Sequence, residues 1–451
     1  MPGHKGKPLP YGLGIESDLT ELPNTDDLYA PSGAIAEAQQ AAARSAHAAN
    51  TILLTNGATA GILTMLLYAV PPGGKVIMPR GAHISAASAC ALGDLRPVFA
   101  NETRRRDGLI IPDESTWLDA IREHPDASAV FVVSPLYDGL ALPLERIASA
   151  ARLAGMRLLV DQAHGAHWNW WESPADAGRC GASLWVQSAH KTLPVPTQGA
   201  WLHLEEREDA NRARSILRMT QTSSPSFMLM EALHKVRAWM DENGARELSR
   251  LLARIPAPPQ DGIFDPRVST IAAPCPVAPN EAGLRRASAV APFDRTRIVL
   301  DVSGRGYTGF EAARRLAALG IDVEASDDRR LILIATIADD AEDFARLTRA
   351  LEELRPQKSA RSALPPMPDA RPQTALSPRA ATFARSEYAP PELAAGRVAA
   401  CPFGAYPPGA PIAWPGEIIT AEAIDWMLDM RGRGMSWFGA DAQGLRVVCN
   451  I

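Results

Sequence analysis

The sequence is short of the features that mark several large protein classes. It has five cysteines, Cys90, Cys180, Cys275, Cys401 and Cys449, and none stands in C-x-x-C spacing. That excludes a disulfide framework or a structural zinc site and points to reduced thiols in a cytoplasmic protein. There is no basic excess: 46 Lys and Arg stand against 51 Asp and Glu, a net charge of -5. Nothing in that balance favours nucleic acid or an anionic membrane surface as a partner. Seven tyrosines and ten phenylalanines in 451 residues are too few for a base-stacking platform. No stretch approaches the ~18 uninterrupted apolar residues of a membrane span. The opening "MPGHKGKPLPYG" has no apolar core of the kind a signal peptide carries.

What is present is an ordinary globular composition, 46% apolar and 22% charged, on a chain long enough for two or three packed units. From Thr51 onward short β-rich runs alternate with helical patterns. "TILLTNG", "KVIMP", "RPVFA", "ASAVFVVSP", "MRLLVDQAHG", "SLWVQSAHK" and "GAWLHL" read as strands; "ATAGILTMLLYAV", "HISAASACALG", "DESTWLDAIREH" and "LERIASAARLAG" read as helices. This alternation predicts βαβ units and a mainly parallel sheet, and the unbroken apolar runs "VFVV" and "LLV" predict strands covered on both faces. Residues from about Leu248 to Asp265 read as a linker. "TRIVLDVSGRGYTGFEAARRLAALGIDVEASDDRRLILIATI" then reads strand, helix, strand, strand. "RPQKSARSALPPMPDARPQTALSPR" reads as an exposed connector. A last unit holds "YPPGAPIAWPGE" and the helix-like "TAEAIDWMLDMRG".

In such sheets ligands gather at the carboxyl ends of the strands. Three polar motifs fall there: "TNGAT", "DQAHGAH" and "SAHK". Lys191 follows a buried strand beside Ser188 and His190. By spacing alone it reads more readily as a surface lysine than as an amine held for chemistry. Asp161, 30 positions earlier and also at a strand end, either caps a turn or faces a ligand, where a carboxylate can pair with a pyridinium N–H. "TNGATAG" reads equally as a plain Asn-Gly turn and as a phosphate-binding helix start built on Gly57, Ala58 and Thr59. His164 and His167 are three apart, but no H-E-x-x-H and no carboxylate in register accompany them, so no metal is expected. Trp168, Trp170 and Trp171 are expected to pack. Asp18, Glu21, Asp26 and Asp27 are expected to be solvated, with the alternative that they hold a cationic substrate end.

The ordered set "MPGHKG", "DLTELPNTDDLYAPSGAIAEAQ", "LTNGATAG", "RGAHIS", "SPLYDG", "LLVDQAHGAHW", "QSAHKTLPVPTQ", "TSSPSF", "GIDVE" and "YPPGAPIAWPGE" resembles the ornithine/lysine/arginine decarboxylases in their compact form without a wing domain. The resemblance implies an α/β chain whose large domain has the fold-type I, aspartate aminotransferase-like architecture with a mainly parallel sheet, followed by smaller α/β domains. The implied boundaries are 1–250 for an N-terminal arm and the large pyridoxal 5'-phosphate domain, 251–355 for a small domain, 356–376 for a linker and 377–451 for a C-terminal domain. It further implies that Lys191 carries the pyridoxal phosphate aldehyde, Asp161 pairs with the pyridine nitrogen and His83 stacks on the ring. Ala163 would pack on the other ring face with His164 nearby. Ala58, Thr59, Ser188 and His190 would hold the phosphate, and Ser223 would reach the phosphate of a neighbouring subunit in a homodimer or higher homo-oligomer.

The implied reaction is α-decarboxylation of a basic amino acid, arginine before lysine or ornithine, with Lys191 or His190 returning a proton to the carbon and Asp27 or Glu324 meeting the side-chain cation. An aminotransferase, another lyase or a non-catalytic regulatory relative are the alternatives. The chain departs from the family at "RGAHIS", where "RNCHKS" is usual, so Gly81, Ala82 and Ile84 stand for larger or polar residues. It also carries Gln162 where "DEAHGAH" has an acid. It opens directly at "MPGHKG", where relatives carry a preceding helix, which implies a start upstream of Met1 or a missing arm.

Overall fold

The computed structural model describes residues 3–5, 7, 18–22, 24–102, 110, 113–172, 174–206, 209–255, 293–357, 368, 372–406, 410–441 and 443–449. Half of "MPGHKG", part of "YPPGAPIAWPGE" and most of the connector after position 357 therefore lie outside the described residues.

Seven strands of the first unit form one sheet: β1 (Asn50–Leu54), β2 (Lys75–Met78), β3 (Arg96–Phe99), β4 (Ala127–Val133), β5 (Arg157–Asp161), β6 (Leu184–Gln187) and β7 (Ala200–Leu204). Their spatial order is β1-β7-β6-β5-β4-β2-β3. Strands β3, β2, β4, β5 and β6 are mutually parallel; β7 is antiparallel to both β6 and β1. The period-2 alternation of strand side chains sends neighbouring residues to opposite faces. Phe131, Leu159 and Val186 join the core beneath helices α2 (Gly57–Ala69) and α3 (Ile84–Gly93). Val132, Val160 and Trp185 join a second core with α4 (Glu114–Glu123) and α5 (Leu144–Leu153). Both faces are covered, as the unbroken apolar runs require.

The expected linker at Leu248 is corrected. A single 28-residue helix, α8 (Phe227–Arg254), runs through that point and stops only at Ile255, the residue before Pro256. A residue preceding proline is driven out of the helical region, so the proline-rich "RIPAPP" ends the helix rather than anticipating it. Leu248 sits in the core of the first unit and Leu251 in that of the second, so α8 belongs to both. The second unit runs strand, helix, strand, strand, helix. Strands β8 (Arg297–Asp301), β9 (Ala325–Ser326) and β10 (Arg330–Ile334) are antiparallel in the order β8-β10-β9, packed with helices Gly309–Ala318 and Ala341–Glu353. Each helix starts on a capping box, Thr308 with Glu311 and Asp340 with Asp343.

The C-terminal unit has two three-stranded antiparallel sheets and the helix Ala421–Gly432. The end of the connector is not free. Residues 373–376 hydrogen-bond to the backbone at Gly416 and Ile418. The cluster Phe310, Met430 and Met435 joins this unit to the second.

A buried polar chain crosses the large sheet. Gln187 Nε2 donates to Gln162 Oε1 and to Asn169 Oδ1, both at 2.8 Å, while Asn169 Nδ2 donates to Gln187 Oε1 at 3.0 Å. His203 Nε2 lies 3.0 Å from that same Oε1, and its Nδ1 lies 2.7 Å from Thr51 Oγ1. An amide oxygen only accepts, so His203 Nε2 carries the ring proton and Thr51 donates to Nδ1. Burial pushes the His203 pKa down to about 3. Unfolded histidine titrates near 6.5, so the unfolded chain binds this proton first, and stability falls as pH drops from about 6.5 towards 3. The difference amounts to roughly 3 kcal/mol between pH 7 and pH 4. In His203→Gln the stability gap to the wild type, measured by urea unfolding, should narrow by that amount over the same interval; an unchanged gap would refute the assignment.

Candidate active site

Strand direction brings the candidate residues together. β1, β2, β4, β5 and β6 all end on one edge of the sheet, and β7 begins there. The edge therefore collects the turn at Asn56, the loop to His83, the loop at Tyr137, the segment after Asp161, the segment Ser188–Lys191 and the turn at Gln198. β5 and β6 are paired neighbours, with Asp161 beside Val186; Asp161 ends β5, while Lys191 stands not on β6 but in the short helix Ala189–Thr192 that follows it.

Asp161 is 5% exposed, and its Oδ1 accepts the N–H of Ala163 at 3.1 Å. Among the described residues no cation forms an ion pair with it. Burial raises its pKa, against the opposing pull of His83, Lys191 and the Ala163 N–H. The Lys191 amine is half-buried and lies 3.1 Å from His164 Nε2. Burial lowers its pKa; the charges of Asp161 and Glu324 raise it, and Arg297 lowers it again. His164 is buried and its pKa lies well below the usual value, through burial and then the surrounding cations, Arg297 first. Its imidazole is therefore neutral, and a protonated Lys191 donates to Nε2. His83 caps α3, its Nδ1 accepting the Ser85 N–H at 3.3 Å, and is exposed. Ala163 is buried.

A cradle of backbone N–H groups lies at the start of α2. Gly57 has φ +72°, which makes the tight turn expected of it. Asn56 gives the helix no side-chain cap, so the N–H groups of its first turn, Ala58 and Thr59 among them, lack intrahelical partners. The Gly57 N–H donates to Gln198 O at 3.0 Å, and His190 donates to the next carbonyl, Gly199 O, through its backbone N at 3.3 Å and through Nδ1 at 3.1 Å. These bonds hold Ser188 and His190 against the helix start. Gln198 takes a left-handed φ of +81° to make the link. Ser223 is exposed on the loop before α8, and Gln221 ties that loop to the cradle by accepting the N–H groups of Thr55 and Asn56.

Two groups escaped the sequence reading. Arg297 of β8 is buried and donates to His164 O at 3.0 Å. Its stem passes over Gly139, where a Cβ would stand 2.8 Å from Arg297 Cγ. Asp294 accepts from Trp168 Nε1 and lies 3.2 Å from His167 Nε2. The tryptophans pack, as expected. The acidic N-terminal residues are partly corrected. Asp26 is not solvated: it is buried and accepts the N–H groups of Asp27, Ser32, Gly33, Ile35 and Ala36. Asp18 pairs with His4, and Asp27 accepts the Tyr29 N–H.

Residues 12–257 match the family model described as the Orn/Lys/Arg decarboxylase major domain. The chain belongs to that family. It is similar to the arginine decarboxylase of Bacillus subtilis (strain 168), 31% identical over 99% of this chain and 93% of the relative. It is 30% identical to the arginine decarboxylase of Halalkalibacterium halodurans over the same shares. Its structure superposes on the constitutive lysine decarboxylase of Escherichia coli with a TM-score of 0.80 over 100% of this chain and 79% of that one, at 20% identity. The fold of this family member is thus the fold-type I architecture expected.

The geometry makes a sign prediction for the amine. Acylation of Lys191, followed by mass spectrometry across a pH series, should titrate below the free-lysine value of about 10.4. Asp161→Asn should move the midpoint lower still, because the carboxylate it removes favours the charged amine. A midpoint that rises in this variant would contradict the arrangement.

Proposed function

We propose that the protein is a pyridoxal 5'-phosphate-dependent α-decarboxylase of a basic amino acid, with arginine favoured over lysine and ornithine. The observation that carries this reading is the pairing of a half-buried amine, Lys191, with a buried carboxylate, Asp161, that has no cation partner among the described residues. The likeness to two arginine decarboxylases over nearly the whole chain supports the choice of substrate.

The residues fit the cofactor. Asp161 offers a buried acceptor suited to a protonated ring nitrogen, Lys191 an amine for an aldehyde, and His83 and Ala163 two faces for a planar ring. The uncapped start of α2, with Ser188 and His190, suits a phosphate. When bound, the cofactor supplies a sink for the electron pair left when a bond to the substrate Cα breaks.

The chain's own residues do the rest. Asp161, buried at the end of β5, would hold a proton on the ring nitrogen by a charge-assisted hydrogen bond. Lys191 would be the residue that holds the cofactor through its aldehyde, and its amine lies 3.1 Å from His164 Nε2. His164 Nε2, 3.1 Å from Lys191 Nζ, is the partner through which the amine gains and loses its proton. His190, with Nδ1 committed to Gly199 O, serves the phosphate end. Glu324 is exposed and its charge acts on Lys191, so it meets the substrate's side-chain cation better than Asp27, which is bound to Tyr29 N–H and lies 3.9 Å from Arg218.

An aminotransferase would use an arginine to clamp the substrate carboxylate. Arg297 does not offer one, since it bonds the His164 carbonyl and its remaining nitrogens are enclosed. Retention of Lys191, Asp161 and His83 speaks against a non-catalytic relative. The reading extends to a homodimer in which Ser223, exposed beside the cradle, reaches the partner's phosphate. It also extends to a cytoplasmic setting, in keeping with the free thiols of Cys90, Cys180, Cys401 and Cys449. No helix among the described residues is long and apolar enough to cross a membrane.

Incubation with arginine, lysine, ornithine and a panel of other amino acids should release CO2 in step with one basic amine. Lys191→Ala should lose the visible band of the bound aldehyde and roughly 10³-fold or more of the turnover. No CO2 from any basic amino acid would remove the decarboxylase reading, and a Schiff-base band surviving in Lys191→Ala would remove the cofactor assignment.

A further inference from the structure

The C-terminal unit reaches back to the helix that carries His83 and holds it at both ends. Three residues before His83, Arg80 forms a two-pronged ion pair with Glu417, Nη1 to Oε1 at 2.8 Å and Nη2 to Oε2 at 2.5 Å. Arg80 Nη2 also donates to Ile412 O at 3.0 Å. The contact fixes backbone as well as side chain, because Trp414 Nε1 donates to Arg80 O at 3.1 Å. The Trp414 N–H donates to Glu417 Oε2 at 2.8 Å and so orients the carboxylate. Phe99 closes the assembly, with the guanidinium 5.0 Å and the Trp414 ring 4.9 Å from its centroid. Glu417 is 3% exposed.

At the far end of α3, Arg379 Nη1 donates to Leu92 O at 2.8 Å, and the short helix Pro378–Phe383 lies against α3. A helix of ten residues spans about 15 Å. Grips at Arg80 and Leu92 leave it no axial freedom without breaking a buried, bidentate pair.

We infer that the C-terminal unit is a brace for the cofactor site, in which Arg80 and Glu417 are positioning residues that set the His83 ring through α3. The inference rests on the proposed role of His83 at the cofactor ring. It assigns the segment "APIAWPGE", some 330 positions from "RGAHIS", a part in the site without contact with substrate. It also gives a reason for Arg80 to stand in that motif beside the small Gly81 and Ala82: the loop carries one anchor and one working side chain. Arg80 is the anchor and His83 does the work.

The test uses full-length protein stripped of cofactor and titrated with pyridoxal 5'-phosphate, read by the visible absorbance and the induced circular dichroism of the bound aldehyde. Glu417→Gln should bind about tenfold more weakly, with reduced dichroism, while its thermal unfolding still shows a folded protein. In a His83→Ala background the same substitution should make no further difference beyond about twofold, since it acts through the ring that is gone. Arg80→Lys, which keeps the charge and loses the fork, should fall between. If Glu417→Gln fails to fold, the exposed Arg379→Ala supplies the same reading from the other end of α3, with about threefold weaker binding that again disappears in His83→Ala.

Wild-type affinity and dichroism in Glu417→Gln, or in Arg379→Ala if that variant has to be used, would overturn the brace. So would a penalty that persists undiminished in the His83→Ala background, which marks a general loss of stability. A wild-type protein that gives no visible band at all would instead overturn the cofactor reading on which the brace rests.

Discussion

The site depends on one electrostatic constraint, a carboxylate buried at the end of β5 that forms no ion pair with a cation among the described residues. Taking Asp161 out of water costs free energy that a single backbone N–H at Ala163 does not offset, and its raised pKa reflects that imbalance. A protein tolerates such a group where something else arrives to complete it. The strand order makes the position possible. With β7 reversed between β6 and β1, the ends of β5, β6 and β1 lie on the same edge as the start of β7. Carboxylate, amine and helix N-terminus then face one space. A different hand of β7 would have sent the Gln198–Gly199 turn, and with it the link between His190 and Gly57, to the far side of the sheet.

Much of this arrangement was legible along the chain. Strand runs that are apolar at every position announced a sheet covered on both faces, and polar motifs at their ends announced where a ligand collects. Asp161 and Lys191 were legible as a pair because adjacent parallel strands bring the segments at their ends side by side. What stayed hidden was everything that depends on a long-range approach. Arg297 opens a strand in the second unit, and nothing in "TRIVLD" shows that its side chain runs back past Gly139 to the carbonyl of His164. Asp26 looked like one more solvated acid in an acidic stretch; only the fold shows five N–H groups turned onto it. The boundary drawn at Leu248 failed for a local reason. The prolines that follow Ile255 terminate α8, and reading their composition backwards into the helix placed the break too early.

The second and third units thus complete a site built by the first. Arg297 and Asp294 enter from the second unit beneath His164 and His167, so the imidazole that partners Lys191 is held by a segment beyond α8. The third unit grips the loop before α3. His83, His164 and Asp161 are each held by a different part of the chain, which is how a site achieves a geometry that no single loop would keep.

The departures from the family pattern are also physical statements about charge. Gln162 sits next in sequence to Asp161, yet its side chain goes the other way, into the polar chain through Gln187, Asn169, His203 and Thr51. Its Oε1 accepts from Gln187 Nε2 and from the Ala177 N–H. A carboxylate there would accept the same two bonds, but as a charge without a cation in a chain whose only titratable member, His203, is held neutral by burial. The amide supplies the acceptor without adding a charge beside Asp161. In this chain the charges that act on Lys191 are Asp161 from the large unit and Glu324 from the small one, opposed by Arg297. Glu324 and Arg297 both belong to the second unit, so that unit contributes charges of both signs at the amine built by the first.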